Sequence, residues 1–321
     1  MKRTQEVTWR RMTALLAWLS LLALAACATQ DSSVTAQDAV PLPAPTIADA
    51  AFATYSGLFG GPPLTLDAGR WQGAPYAEGA ASAPRAGLAG PPVLRGDLDG
   101  DGGEETVVLV WTSTGGSGTF DYLAALDRAS DGRVVNRGTA PLGDRVKLRA
   151  ARIADGRIEL DLVQSGPGDA ACCPGQKVRR IFALRGDALS EVALEDQGRL
   201  SLADLAGEWV LEPTDIDGVP DGVEVTLTFD GERISGQSGC NRYGGALTEE
   251  NGAGQVRLDG PLAATRMMCP EAVMAWERRY LHALEHVQAY SFSMGRLVLT
   301  WYDEQEPGTL FFAPSQPSPT P

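Results

Sequence analysis

The sequence predicts a mainly β protein of two β-rich domains, the second of α+β character with one helix packed on its sheet. Three observations carry this reading. Short runs rich in Val, Ile, Thr, Tyr and Phe recur from Thr106 to Phe312, several alternating apolar and polar residues as a half-buried strand does. Asp131-Gly132, Asp155-Gly156 and Asp230-Gly231 separate such runs, and Asp-Gly is a strong hairpin-turn signal. One stretch, Pro270 to about Gln288, keeps a helical period instead.

Residues 48–196 read as the first domain. Up to about residue 92 it is Gly-, Ala- and Pro-rich with scattered aromatics, and Leu64 to Trp71 is its one strand-like run. Thr106 to Trp111 is a continuous β-branched stretch that fits a buried strand. Strands follow at Asp121–Asp127, Val146–Ala151, Arg157–Gln164 and Lys177–Leu184. Within Arg157–Gln164, Ile158, Leu160 and Leu162 share one face, while Glu159 and Asp161 take the other. No fixed-period repeat is present, which excludes a propeller or a solenoid. Around Glu195 to Ser201 the pattern lapses into polar residues, and the domain boundary is placed there.

The second domain, 199–313, reads as strands at Glu208–Leu211, Val223–Phe229, Glu232–Ser238, Gln255–Leu258, Ala289–Met294, Arg296–Trp301 and Thr309–Phe312. Its helix begins at Pro270, which suits a first helical position, beside Glu271, which complements the dipole. At 100° per residue, Val273, Trp276, Tyr280, Leu284 and Val287 fall in one stripe about 80° wide, so this helix must lie on a sheet. The Pro/Ser stretch 314–321 reads as a disordered tail.

The N-terminus reads as an export signal. Lys2, Arg3, Arg10 and Arg11 precede the apolar run Thr13 to Ala26, which is shorter than the ~20 residues of a membrane span and ends in small residues. Leu24-Ala25-Ala26-Cys27 resembles the bacterial lipobox. The resemblance implies that residues 1–26 are a lipoprotein signal peptide, that Cys27 is lipidated, and that the lipid is the membrane partner. Ala28 after that cysteine implies the outer membrane, with the body facing the periplasm. Residues 27–47 then form a flexible tether. The chain carries a net charge of −14, and loss of the basic signal makes the remainder more acidic. Such a surface repels phosphate backbones, which excludes nucleic acid as a partner.

Four cysteines remain beyond Cys27: Cys172, Cys173, Cys240 and Cys269. An oxidising compartment favours disulfides, with three connectivities open. Pairing of Cys240 with Cys269 within one domain is preferred. Cys172 and Cys173 can pair with each other as vicinal cysteines, with a bond to the second domain or free thiols as the alternatives. Asp97, Asp99, Asp101 and Glu105 stand at positions 1, 3, 5 and 9 of a loop with Gly102 at position 6. Hard oxygen ligands at that spacing suit Ca²⁺, with the Gly103 carbonyl as a further ligand. The ligand expected at position 12 is replaced by Val108, so the loop is not an EF-hand, and a solvated acidic turn is the alternative.

Catalytic patterns are near misses. His282-Ala283-Leu284-Glu285-His286 matches the H-x-x-E-H zinc-protease pattern, but the helical stripe turns both histidines away from the core, and no third ligand is apparent. Gly236-Gln237-Ser238-Gly239-Cys240 has Cys where a nucleophile elbow needs its last Gly, and no histidine to activate Ser238. No catalytic residue is assigned.

Between residues 209 and 312 a family resemblance emerges. Ser238-Gly239-Cys240-Asn241-Arg242-Tyr243-Gly244-Gly245 is followed by Thr265-Arg266-Met267-Met268-Cys269-Pro270, then Glu277, Tyr280, Leu284, Val287 and Tyr290. With Trp209-Val210-Leu211 before and Leu310-Phe311-Phe312 after, this resembles the META/HslJ family (DUF306) of bacterial envelope lipoproteins. The resemblance implies a compact antiparallel, barrel-like β fold with one packed helix. It also implies a link to envelope stress and antibiotic tolerance and no settled enzymatic activity, and the leading expectation is a non-catalytic binding or structural role toward an envelope protein or ligand. A calcium-stabilised interaction module is the alternative, and a hydrolase or thiol-redox enzyme stands behind both.

Overall fold

The computed structural model describes residues 42–79, 82–170, 172–212, 219–304 and 307–315. The signal peptide, Cys27, most of the tether and most of the C-terminal tail lie outside the described residues. The chain enters at a short helix, α1 (Ile47–Ala50), whose Thr46 and Asp49 cap each other reciprocally. This segment is tied to the body: Thr106 Oγ1 donates to the Pro45 carbonyl, and Arg128 to the Pro43 carbonyl and Asp49.

β1 (Thr54–Tyr55) pairs with β2 (Leu64–Thr65) as a small ribbon. A six-stranded antiparallel sheet follows: β3 (Arg70–Gln72), β4 (Arg85–Leu88), β5 (Leu94–Gly96), β6 (Glu105–Ser113), β7 (Phe120–Arg128) and β8 (Val134–Asp144). Next comes a four-stranded meander of β9 (Lys147–Ala154), β10 (Arg157–Gln164), β11 (Gln176–Arg185) and β12 (Ala188–Arg199). Leu109 and Leu123 of the first sheet meet Leu160 and Phe182 of the second in one core. The opposite face of the six-stranded sheet, Val108 and Val110, is covered by Tyr55, Leu58 and Leu66.

The C-terminal sheet is nearly a closed barrel. It takes β13 (Gly207–Leu211), β14 (Thr226–Asp230), β15 (Arg233–Gln237), β16 (Arg242–Glu249), β17 (Val256–Leu258), β18 (Ala263–Ala264), β19 (Val287–Ser293), β20 (Arg296–Tyr302) and β21 (Pro307–Pro314). The order runs β17-β16-β15-β14-β13-β21-β20-β19, and a bridge from Gln255 to Ala289 brings the two edges together. Between β18 and β19 lies α2 (Glu271–Glu285), which sends Trp276, Tyr280 and Leu284 into the barrel core. Pro270 is the N-cap rather than the first helical residue. The mainly β expectation, with one packed helix in the C-terminal part, holds.

Several elements differ from the sequence reading, each for a local reason. β8 is hidden in the sequence by Gly138 and Pro141; a Cβ on Gly138 would come within 2.5 Å of the Leu189 backbone, so the glycine is what lets β12 approach. The polar residues near Glu195 are the end of β12, an edge strand whose exposed side chains read like a linker. Leu64 to Trp71 is two strands, not one, broken at Ala68-Gly69, both with positive φ. β16 is absent from the sequence reading because Gly244 and Gly245 sit inside it, where a Cβ on Gly245 would meet Leu262.

Candidate functional site

The acidic loop joins β5 to β6. Asp97 accepts from the Gly100 and Gly102 amides at 2.6 and 3.1 Å, and both glycines take positive φ, as the tight wrap requires. One carboxylate oxygen from each of Asp97, Asp99 and Glu105 lies within 4.8 Å of the other two. Asp101 is not in that group; its Oδ1 accepts from the Gly103 amide at 2.7 Å. Three of the four carboxylates that the spacing selects therefore converge as an oxygen donor set suited to a hard cation. A side chain already shares the charge: Arg137 bridges Asp99 at 3.2 Å, Asp127 at 2.8 Å and Asp187 at 2.8 Å.

Glu105 is the unusual member, only 1% exposed. Burial pushes its carboxyl up to about 7, aided by the charges of Asp99, Asp127 and Asp101 and opposed by the Leu98 amide, which donates to it at 2.7 Å. Near neutral pH this site holds either a proton or an incompletely balanced negative charge.

The corner between β15, β16 and α2 is built differently. Ser238 Oγ donates to Glu277 Oε1 at 2.5 Å and lies 2.8 Å from the Asn241 carbonyl. The Asn241 amide donates to Glu277 Oε1 at 2.7 Å, and Asn241 Nδ2 to Oε2 at 2.8 Å. Asn241 Oδ1 in turn accepts from Thr265 Oγ1 at 2.8 Å and the Met267 amide at 2.6 Å. The Asn241 side chain thus stitches three segments together. Burial acts to raise the Glu277 carboxyl, but the bonds from Ser238, Asn241 and the Asn241 and Cys240 amides outweigh it and hold it below the usual carboxylate range.

The remaining signature residues complete the joint. Cys240 and Cys269 have their sulfurs at bonding distance, with Cα atoms 6.1 Å apart, so the chain before α2 is anchored to the β15–β16 corner. Gly236 lets β14 come close, since a Cβ there would fall 1.9 Å from the Thr226 carbonyl oxygen; Gly239 has a φ of 101°. Tyr243 donates to the Thr226 carbonyl at 2.9 Å and meets the Tyr280 hydroxyl at 2.8 Å. Burial raises both phenols well above their ordinary range. Arg266, Met267 and Met268 face outward, Met268 being 87% exposed.

Cys172 and Cys173 also have their sulfurs at bonding distance. Their loop is organised by Asp169, which accepts from the Gly166 and Gly175 amides at 2.8 Å and pairs with Arg199. The two cysteines border a cavity of about 210 Å³ shared with Lys147, Val163, Leu200 and Tyr290. His282 and His286 lie on the outer side of α2, as the helical arithmetic requires, and His282 meets Asp303.

Glu277 is the residue whose role sequence reasoning missed. It is adjacent to Trp276 on the helix and 6% exposed, and a charged residue beside the apolar stripe is the signal that could have found it. Arg137 and Asp303 were equally invisible, since each reaches its site from a distant strand or turn.

Comparison with known proteins bears on the C-terminal part. Residues 201–315 match the family model of the META domain, so this part of the chain carries a META domain. A solved structure titled "NMR structure of the protein from Burkholderia xenovorans" is 28% identical, covers 40% of this chain and 96% of that one, and has a TM-score of 0.30. No curated protein matches the chain.

Proposed function

We propose that this is a lipid-anchored envelope protein, held at Cys27, whose META domain is a non-catalytic binding or structural module serving envelope stress tolerance. The observation that carries the non-catalytic part is the use of the signature polar groups by one another. Ser238 is fully buried and bonded to Glu277, Asn241 spends both side-chain atoms on neighbours, and Cys240 is paired with Cys269. A nucleophile needs an exposed oxygen or a free thiolate as well as a base; here the Ser238 hydroxyl beside Glu277 is buried and the Cys240 sulfur is bonded to Cys269. What the signature presents outward is Met267 and Met268, polarizable side chains suited to an adaptable contact surface. Treating the full chain, without reductant, with a fluorophosphonate and with iodoacetamide tests this. No adduct is expected at Ser238 or Cys240; labelling of either overturns the non-catalytic reading. Anchoring is tested separately: Cys27→Ser is expected to move the protein to the soluble fraction, and retention in the membrane contradicts the lipid.

A second reading, a calcium-stabilised interaction module, is favoured by the convergence of Asp97, Asp99 and Glu105. A divalent cation there would replace the proton on Glu105, so binding should strengthen between pH 6 and pH 8. Calorimetry on chelator-stripped protein is expected to give one Ca²⁺ per chain, lost in Asp97→Asn. No heat at millimolar Ca²⁺ removes this reading.

A further inference from the structure

We propose that the C-terminal end of α2 carries a site for a divalent transition-metal ion of the Zn²⁺, Cu²⁺ or Ni²⁺ class, held by His282, His286 and Asp303. The chain has two histidines in all, and both lie here, one helical turn apart. Asp303, the third ligand that the helix sequence does not reveal, comes from the segment after β20, and its Oδ2 lies 3.0 Å from His282 Nε2.

That distance suits a shared ion. Two ligand atoms each about 2.0–2.1 Å from one metal stand about 2.9 Å apart at a right angle and about 3.3 Å apart at the tetrahedral angle. The imidazole rings of His282 and His286 have centroids 4.2 Å apart, against about 4.5 Å for two imidazoles at a right angle on one ion and about 5.2 Å at the tetrahedral angle, so the rings must part slightly to bind. His286 is also in a ligating tautomer. Its Nδ1 lies 2.8 Å from the His282 carbonyl oxygen, which can only accept, so Nδ1 carries the proton and Nε2 keeps its lone pair. Trp301 sets an edge-on ring 6.3 Å from His282 and limits its rotation.

The surroundings favour a cation. The cleft, about 670 Å³ and open to solvent, is lined by the three ligands with Gln288, Tyr302 and Glu304. It stands at the negative end of the α2 dipole, with His286 as the C-cap. Without metal, the Asp97 group is the one place among the described residues where three such ligand atoms converge within 4.8 Å. Closure here therefore needs the His286 side chain to turn, which makes the site weaker than a preformed one. When the ion enters, it takes the position of the His282 Nε2 proton, which moves through solvent to Nδ1; the imidazole stays neutral and no oxidant or reductant is involved.

The consequence is structural. The Cys240–Cys269 pair fixes the chain just before α2, and the metal would fix its other end to the segment after β20, so the helix is clamped at both ends.

Zinc, nickel and copper titrations of the detergent-solubilised full chain test the site. One equivalent is expected, with nitrogen hyperfine structure in the Cu²⁺ EPR spectrum. His282→Gln or His286→Gln should weaken binding at least tenfold, Asp303→Asn several-fold, and Asp97→Asn not at all. These ligands are on the surface, so the melting temperatures of the metal-free variants should match that of the parent. Hydrogen exchange at residues 283–287 and 301–303 should slow when Zn²⁺ is added. Parent-like affinity in the doubly substituted His282→Gln/His286→Gln chain overturns the proposal. So does an unchanged affinity in Asp303→Asn, which would mean bare two-histidine chelation.

Discussion

Glu105 and Glu277 are both buried carboxylates, 1% and 6% exposed, yet the protein treats their charges in opposite ways. Glu277 is met by the Ser238 hydroxyl, the Asn241 carboxamide and two backbone amides, and its ionised form is the favoured one. Glu105 has one amide donor, from Leu98, and stands among Asp99, Asp101 and Asp127, so its neutral form is favoured up to about pH 7. Donor count decides the charge state of a buried acid more than depth does. A carboxylate saturated with donors is a strut, whereas one short of donors can take up a proton or a cation.

The largest expected effect comes from removing the strut. Glu277→Ala leaves the Asn241 and Cys240 amides and Asn241 Nδ2 without their acceptor, while the Ser238 hydroxyl can still turn to the Asn241 carbonyl. At ~1–3 kcal/mol per unsatisfied donor, with partial relaxation, the loss should be about 3–5 kcal/mol. Urea unfolding at pH 7 measures it, and a loss below 1 kcal/mol would mean that the corner is not what holds α2 to the barrel. Opening the neighbouring disulfide comes next. Cys240→Ala with Cys269→Ala should cost about 2–4 kcal/mol, because the bond closes a loop of 29 residues.

The two carboxylates also predict opposite pH dependence. Glu277 has a lowered folded pKa, so its contribution is complete above the unfolded value and is lost as pH falls through the folded one. Glu105 rises from an ordinary value of 4.5 to about 7; the folded state binds the extra proton in that window, and stability falls as pH climbs from 4.5 to 7. Asp121, raised by burial from 3.8 to about 7, adds a slope of the same sign. Glu105→Gln keeps an acceptor for the Leu98 amide and removes the titration. At pH 8 it should exceed the parent by on the order of 1–3 kcal/mol, while the Asp121 slope persists. An unchanged pH profile in Glu105→Gln would show that the carboxylate is not the titrating group.

Much of this contrast could be read before the fold was known, though unevenly. The carboxylate spacing of residues 97–105 and the Cys240–Cys269 pairing are local or nearly local patterns, and the structure brings both sets together, Asp101 excepted. The strand Arg157–Gln164 is found at its expected ends because its alternation is uninterrupted and its Asp155-Gly156 turn takes positive φ at both residues. β8 and β16 were illegible because their glycines serve partners distant in sequence, Leu189 and Leu262. Glu277 and Arg137 were illegible for a related reason: what they do depends on partners that only the folded chain brings near. Periodicity reports which face a residue occupies, not which donor waits across the gap.

The smallest effect should come from the other cysteine pair, and its size separates two kinds of cross-link. Cys240–Cys269 joins two segments that would otherwise part on unfolding, whereas Cys172–Cys173 joins neighbours and removes almost no loop entropy from the unfolded chain. The local work there belongs to Asp169, held well down at about 2 by Arg199 and, against burial, by the Gly166 and Gly175 amides, which fix the loop without the sulfurs. Cys172→Ala with Cys173→Ala is therefore expected to cost less than about 1 kcal/mol, and Asp169→Ala more than the cysteine pair. Urea titrations of the two variants side by side decide it. The reverse order would mean that the vicinal bond, not the Asp169 hub, shapes the wall of the 210 Å³ cavity.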